Sequence, residues 1–393
     1  MTAAAQTLGA NLRRYRQVHG LSQAALAERA GLSRVGYRDI ELGKAEPRAA
    51  TLASIAQALG VRVPDLLAPV RTLSHVRFRA DKRMSLRANI LTDIARWLDD
   101  YADLEQLLDA RIAWKLARVA KRAQSLAPGP ERGETVARLA RTALGLDQRN
   151  HQDTVRDVCG LLEDNGVKVL TADVKSEGFF GLSVGPEDDG PAVFVNIWDR
   201  ISVERWIFTA IHELGHLLMH PGAFDVDQAE EDSLEERDAD NFASHFLMPR
   251  ALFEKEWDEA RGLALIDRVF KVKRIFRVSW QTVLWRVAAP LPSGQRRRVW
   301  TSFTDAYERR TGRILGRTDE PDPLAPDTFL AGRPVPRAAD EPSRLDADDF
   351  REDRLARLVR EAVESSVISM SRAAEILGLP LKDMRAVARS WVD

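Results

Sequence analysis

Apolar positions follow a helical period along most of the chain and an alternating one in only a few short runs. Residues 1–70 break into short helical segments punctuated by Gly and Pro. A longer periodic stretch follows over about 84–124, where Ile90, Ile94, Trp97, Tyr101, Leu104 and Leu108 recur at alternating spacings of four and three. That spacing lays one apolar stripe along a long helix. Such a stripe either packs against a neighbouring domain or forms a dimer seam. "APGPERG" (127–133) interrupts it, and helical patterns resume in "ETVARLARTALGL" and "DTVRDVCGLLEDNG". Three strand-like runs come next, "VKVLTADV", "GFFGLSV" and "PAVFVNIW", separated by Gly, Pro and Asp. A helix over about 203–219, an acidic loop (225–236) and a helix through "RDADNFASHFLM", stopped by Pro249, complete this region. Helices dominate 251–310. The Pro/Asp-rich stretch from "GRTDEPDPL" to "RLDADD" reads as an extended, mobile linker, and the last 40 residues return to helix. No internal repeat is visible.

This pattern predicts a mainly α protein with a small sheet, in four parts whose helix count and bounds follow from the resemblances described below: a five-helix bundle (1–70), a helical connector that offers a dimer contact (71–130), an α+β domain (131–300), and a linker with C-terminal helices (301–393). The 393 residues carry a net charge of −1, which hides an asymmetry. Residues 1–80 hold twelve Arg or Lys against five Asp or Glu, a net of +7, so the remainder carries −8. A basic N-terminal unit points to a nucleic-acid partner. Cys159 is the only cysteine, which excludes an intrachain disulfide and fits a reducing compartment. No run approaches the ~18 apolar residues of a membrane span, and the N-terminus lacks the pattern of a secretory signal. A cytoplasmic protein with no membrane partner is expected, and the resemblances described below imply that it is nucleoid-associated and of bacterial or phage-related origin.

In "LSQAALAERAGLSRVGYRDIELGKAEPRAATLASIAQALGV", Ser22 caps a helix, Leu26 and Ala27 face inward, and Gly31 supplies a tight turn. Ser33 caps a second helix that stops at Gly43. The stretch resembles the Xre/Cro-type helix-turn-helix family through Ser22-Gln23, Leu26-Ala27, Gly31-Leu32-Ser33, Ile40-Glu41, Gly43, Pro47, Leu52, Ala56 and Leu59. The resemblance implies that Gln23, Arg34, Val35 and Asp39 read bases of a double-stranded operator, with Ser33, Arg38 and Lys44 near phosphates. Arg34 is the candidate for a bidentate guanine contact. It also implies a homodimer on two half-sites, for which the stripe after residue 84 offers a contact. Gly36 departs from a good recognition helix, costing about 1 kcal/mol of helix propensity relative to Ala. The competing reading is a bundle kept for protein contacts or autoinhibition.

"WIFTAIHELGHLLMH" contains H-E-x-x-H in His212, Glu213 and His216. On a helix, i and i+4 share a face about 6 Å apart along the axis, so two imidazoles can reach one zinc ion. Glu213 points beside the metal, where it can take a proton from the attacking water. His220 continues the series but lies about 12 Å from His212 along a straight helix, too far to share one ion. Gly215 either permits close approach of another element or is merely tolerated.

A third ligand is sought in "LEERDADNFASHFLMP". Zincins of the gluzincin type, which this arrangement resembles, place a glutamate on a second helix and a carboxylate four residues later against the first histidine. The resemblance assigns Glu236 to the Zn²⁺ and Asp240 to orienting His212, with Glu235 and Asp238 as substitutes in another helix register. The bland alternative is that both are solvent-facing carboxylates. "HELGHLLMH" with "ERDADNFASHFLMP", "LLEDNGVKV", "FVN" and "VSWQTVLWRV" resembles the ImmA/IrrE zinc metallopeptidases over about 131–300, and "SVISMSRAAEILGLPL" extends this loosely. Family members commonly carry a residue such as Asn after the Ala, where this chain has Asp240. The resemblance implies cleavage of a repressor or other regulatory protein by a DNA-binding regulator. Two other readings compete: a transcription factor with a zinc-binding, non-hydrolytic fold, and an antitoxin that binds its operator and a toxin.

Overall fold

The computed structural model describes residues 3–69, 73–80, 87–129, 131–148, 151–152, 154–176, 178–221, 233–316, 319–321 and 345–391. The sequence-predicted acidic loop over 225–232 and linker over 322–344 lie outside these residues. The chain divides into two compact units, one of Met1–Leu73, Arg83–Arg111 and Arg354–Asp393, the other of Ser74–Lys82 and Ile112–Asp353.

The first unit begins with five helices, α1 (Ala3–Val18), α2 (Gln23–Arg29), α3 (Arg34–Glu41), α4 (Ala49–Leu59) and α5 (Val63–Leu67). Serine hydroxyls start the second and third: Ser22 Oγ accepts from the Ala25 amide at 3.1 Å and Ser33 Oγ from the Gly36 amide at 3.0 Å. Leu8, Leu12, Leu26, Tyr37, Ile55 and Leu66 form the core of this bundle. Beneath it, Glu41 accepts two parallel hydrogen bonds from Arg16, at 2.8 and 2.9 Å. After β1 (Val76–Ala80), the chain forms the long helix α6 (Arg87–Leu107).

The second unit continues with α7 (Ala117–Gln124), α8 (Arg132–Ala143), the short strands β2 (Asp147–Gln148) and β3 (His151–Gln152), and α9 (Val158–Glu163). Then come β4 (Lys168–Ala172), β5 (Phe179–Val184), β6 (Ala192–Asn196), α10 (Val203–Met219), α11 (Ser233–Leu247), α12 (Arg250–Glu259), α13 (Leu265–Phe276), α14 (Trp280–Ala288) and α15 (Ser293–Thr311). The three strand-like runs are strands, within two residues at each end. They form a four-stranded sheet in the order β1-β5-β6-β4, antiparallel except for the β4–β6 pair. The edge strand β1 comes from a segment whose sequence reads as helical connector. All five residues of β6 are buried, as expected of a strand covered on both faces. Residues 233–236, read from sequence as acidic loop, form the first turn of α11, where carboxylates favour the helix dipole.

The chain ends in α16 (Arg354–Glu364), α17 (Met370–Ile376) and α18 (Leu381–Ser390), all in the first unit. They change the meaning of the long stripe. Ile90, Ile94, Tyr101 and Leu104 are buried, and Tyr101 and Leu104 pack with Leu355, Leu358, Val359 and Met384 from the other end of the sequence. The stripe is covered from within the chain and is not a free dimer seam. The helix also stops at Leu107, and α7 belongs to the other unit.

The described ends of the Pro/Asp-rich stretch are anchored. The Trp280 indole donates to the Asp319 carbonyl at 2.8 Å, Lys273 pairs with Glu320 at 3.0 Å and with Glu204 at 2.7 Å, and Leu345 and Phe350 join the second unit's core.

Candidate metal centre and nucleic-acid interface

Helix α10 is buried along nearly its whole length, so it lies inside its unit and its polar side chains must find partners there. It packs against β5 and β6 on one side and α11 on another. Two glycines set these separations. A Cβ on Gly215 would lie 2.9 Å from the Phe242 ring of α11, and one on Gly181 would lie 2.6 Å from the Thr209 methyl of α10. Gly215 therefore permits close approach and is not merely tolerated.

The close α10–α11 spacing brings three donor groups together. His212 Nε2 and His216 Nε2 are 2.9 Å apart. Glu236, in the first turn of α11, places Oε2 3.3 Å from His212 Nε2 and Oε1 3.2 Å from His216 Nε2. Among the described residues these three form the group of His, Cys, Asp or Glu side chains whose ligand atoms lie within 4.8 Å of one another. His220 is outside that group, as helix geometry requires.

Each ring is held from behind. His212 Nδ1 lies 2.8 Å from Asp240 Oδ1; a carboxylate only accepts, so Nδ1 carries the hydrogen and Nε2 keeps its lone pair. His216 Nδ1 lies 3.0 Å from His220 Nδ1, and with the hydrogen on His216 its Nε2 is also left as a lone pair. Burial pushes His216 well below its ordinary pKa against the pull of Glu236. Burial, with Arg77 and Arg132 nearby, pushes His220 down to about 3. The C-cap position of His220 on α10 therefore holds a neutral ring rather than a cation. Burial alone would raise Glu236, but its bonds to His212 and His216 outweigh that and hold the carboxyl far below the carboxylate range.

Two neutral nitrogens and one ionised carboxylate thus converge. A tetrahedral zinc ion with bonds of about 2.0–2.1 Å separates its ligand atoms by roughly 3.3 Å. The observed separations of 2.9–3.3 Å fit that to within a few tenths of an ångström. The donor set also suits zinc, with one coordination position left over.

Two further groups carry no motif in the sequence. Arg77 on β1 is buried and donates to Glu236 Oε1 at 3.1 Å and to Glu235 Oε2 at 2.5 Å. Glu235 is thereby a partner of Arg77 rather than a member of the donor group. The only hint in the sequence is the alternation in "VRFRA". Ser183 on β5 donates to Glu213 Oε2 at 2.9 Å, and both residues are buried. Glu213 therefore faces the sheet side of α10. Asp238, the other alternative ligand, pairs with Arg132 at 3.4 Å.

In the first unit, Ser33, Arg34, Val35, Arg38 and Lys44 are exposed on α3 and its flanks, with Val35 56% accessible. Asp39 is tied to Arg38 at 2.9 Å. Gln23 is turned inward: its amide donates to Glu41 Oε1 at 2.9 Å. The outer face of α3 thus presents two guanidinium groups and an exposed valine.

Comparison with known proteins agrees with this division. Residues 12–66 match the helix-turn-helix family model, and residues 162–287 match that of the IrrE N-terminal-like domain (peptidase M78). The chain carries both domains. It is 36% identical over 74 residues to YonR, an SPbeta prophage-derived HTH-type transcriptional regulator of Bacillus subtilis (strain 168). That match covers 19% of this chain and 65% of the relative's length. The apo form of the competence regulator ComR from Streptococcus vestibularis aligns over 95% of this chain and 90% of that one, at 12% identity and a TM-score of 0.16, too low to carry an argument. No helix among the described residues is long and apolar enough to cross a membrane.

Proposed function

We propose that this chain is a DNA-binding transcriptional regulator whose second unit is a zinc-dependent endopeptidase acting on a repressor or other regulatory protein. The observation that carries this reading is the convergence of His212, His216 and Glu236 within 4.8 Å, beside Glu213 on the same buried helix.

Bound zinc supplies Lewis acidity, polarising the scissile carbonyl and making water a nucleophile near neutral pH. The protein's residues do the rest. His212 and His216 offer Nε2 to the ion and Glu236 offers its carboxylate. Asp240 and His220 fix the two imidazole tautomers. Arg77 fixes the carboxylate of Glu236. Glu213 takes the proton of the attacking water on a carboxylate oxygen and returns it to the leaving amine, while Ser183 holds Oε2 in place. In the first unit, Arg34 and its exposed neighbours on α3 meet duplex DNA in the major groove.

The burial of both histidines and Glu213 favours a second reading, in which the zinc fold senses or binds without turnover. One experiment separates the two. Wild type and Glu213→Gln are loaded with zinc and incubated with a panel of candidate repressor proteins. Both hold about one zinc per chain, and only the wild type cuts. Zinc-loaded wild type that cleaves none of them sinks the hydrolytic reading. For the DNA-binding half, Arg34→Ala lowers sequence-specific affinity by about 1–3 kcal/mol; an unchanged footprint removes that assignment.

A further inference from the structure

The last two helices, α17 and α18, start in the same register as α2 and α3. Ser369 caps α17 by accepting from the Arg372 amide at 3.2 Å, as Ser22 caps α2 by accepting from Ala25 at 3.1 Å. Both first helices are seven residues long. Each is followed by a glycine in the left-handed region, Gly31 at φ +69° and Gly378 at φ +62°. The turns share their backbone bonds. Gly31 donates to Glu28 and Leu32 to Ala27, at 3.1 and 2.8 Å; Gly378 donates to Glu375 and Leu379 to Ala374, at 3.2 and 2.9 Å. Every pair is offset by the same 347 positions, read directly from the numbering. Buried Leu26, Ala27 and Tyr37 correspond to buried Ala373, Ala374 and Met384. The chain therefore contains an internal repeat of this two-helix unit, which the sequence carries only as scattered identities such as Ala27-Glu28 with Ala374-Glu375 and Gly31-Leu32 with Gly378-Leu379.

The backbone unit alone does not define a DNA-contacting element. Helices α13 and α14 have the same turn, with Arg277 at φ +54° and Ser279 as N-cap, but Trp280, Val283, Leu284, Arg286 and Ala288 of α14 are buried in the second unit. Exposure and charge separate the tail from that structural use. On α18, Lys382, Arg385 and Arg389 are all exposed, at i, i+3 and i+7, and so share one stripe. None has an ion-pair partner among the described residues. Lys382 and Arg385 occupy the positions of Val35 and Arg38 in the first motif. The opposite side of α18 is fixed to its own unit by buried Met384, and the Trp391 carbonyl accepts from Arg360 at 3.0 Å.

We infer that α17 and α18 form a second helix-turn-helix that binds duplex DNA, with Lys382, Arg385 and Arg389 lying against backbone phosphates. Three unpaired cations on one helical stripe match a phosphate row in charge and need no acidic protein partner. The inference borrows its ligand from the reading of α3 as a DNA-contacting helix, so the test must separate the two.

Duplexes selected from a random pool by the full-length protein are titrated at several salt concentrations, with footprinting, against wild type, Arg34→Ala and the triple variant Lys382→Gln/Arg385→Gln/Arg389→Gln. Removing one cation from its phosphate flattens the slope of log K against log salt by about 0.9, so the triple variant flattens it by about 2.7 and shortens the footprint. All three residues are exposed, and an unchanged melting curve checks the fold. Should the triple variant fail to fold, the single variants each flatten the slope by about 0.9. A triple variant with unchanged slope and footprint overturns the inference and assigns this face to a protein, while leaving the Arg34 effect intact. If Arg34→Ala changes nothing and the triple variant flattens the slope, the tail stands and the assignment of α3 falls. Wild type with no salt-dependent binding to any duplex sinks both.

Discussion

Replacing Asp240 tests how the first histidine is made a ligand. Asp240 Oδ1 accepts the His212 Nδ1 hydrogen at 2.8 Å, which fixes the tautomer that leaves Nε2 facing Glu236. Asn keeps the shape and an accepting oxygen but loses the charge, and charge-assisted bonds are roughly twice as strong as neutral ones. The Asp240 side chain is 47% exposed, so water already screens part of that charge. Loss of a group that orients a ligating histidine costs about 10–100-fold in metal affinity. Asp240→Asn therefore falls at the mild end, about tenfold or 1.4 kcal/mol. Asp240→Ala has no acceptor at all, leaves a buried N–H without its partner and frees the ring, so it falls near the hundredfold end. The order wild type, Asn, Ala is the signature of an orienting carboxylate. Competition titration against a chromophoric zinc chelator near neutral pH reads all three proteins. An Ala variant within twofold of wild type, or an Asn variant weaker than the Ala variant, refutes the reasoning.

Three other outcomes follow from the packing. Glu41→Gln leaves the largely buried Arg16 guanidinium without its carboxylate and costs about 3–5 kcal/mol in chemical denaturation; an unchanged midpoint contradicts this. Burial would raise Glu41, but Arg16 and Gln23 outweigh it and lower its pKa. Its contribution is therefore present above the unfolded carboxylate pKa and lost as pH falls through the folded value, so wild type loses its advantage over Glu41→Gln in acid. Gly215→Ala drives a methyl into the Phe242 ring, pushes α11 from α10 and costs about 1–3 kcal/mol, with a matching loss of zinc affinity in the same chelator titration; full affinity denies that this spacing builds the site. Burial pushes Glu320 up to about 7, with Glu204 reinforcing and Lys273 opposing. An acid raised on folding loses stability as pH climbs from its unfolded value of about 4.5 through 7, so Glu320→Gln gains melting temperature over wild type at pH 8 and not at pH 5; equal gains at both indicate another cause.

Local signals were legible in the sequence and distant ones were not. Helix α10 spans the predicted 203–219, because its apolar period, the Ser202 cap and the His220 stop all lie within twenty residues. Caps likewise revealed α2 and α3. Glu236 and Asp240 needed a family resemblance, since two carboxylates on an acidic helix look solvent-facing until α10 is packed beside them. Strand β1 escaped because the alternation in "VRFRA" covers only five residues and sits in a stretch otherwise read as a helical connector. Its Arg77 is inward, neutralising Glu235 and Glu236, and period-2 alternation counts an inward charge as an outward position. The tail repeat escaped because its matching residues, such as Ser22 and Ser369 or Gly31 and Gly378, are few, scattered and 347 positions apart. A serine cap, a left-handed glycine and three buried positions recur, while most side chains differ.

The second unit is inserted between parts of the first, because residues 83–111 and 354–393 return to the N-terminal bundle's unit. Arg354 illustrates what this return secures. Its guanidinium donates to Glu105 at 2.7 Å, to the Tyr101 hydroxyl at 3.0 Å and to the Ala110 carbonyl at 2.7 Å. Glu105 is 4% exposed, so a chain ending at Asp353 takes the Arg354 cation from a buried carboxylate and uncovers the Tyr101 and Leu104 stripe of α6. Breaking such a pair from one side costs about 3–5 kcal/mol before the missing apolar cover is counted. A chain of residues 1–353 is therefore markedly less stable than the full chain in denaturant. Its loss of DNA binding would report unfolding of α6 rather than the removal of a DNA-binding surface. Substitutions on the exposed stripe of α18 leave Arg354 and Met384 in place, which makes them, and not deletion, the way to question the tail. Equal stability of the two chains would refute the packing of α16 on α6, and with it the internal cover that takes the α6 stripe out of any dimer seam.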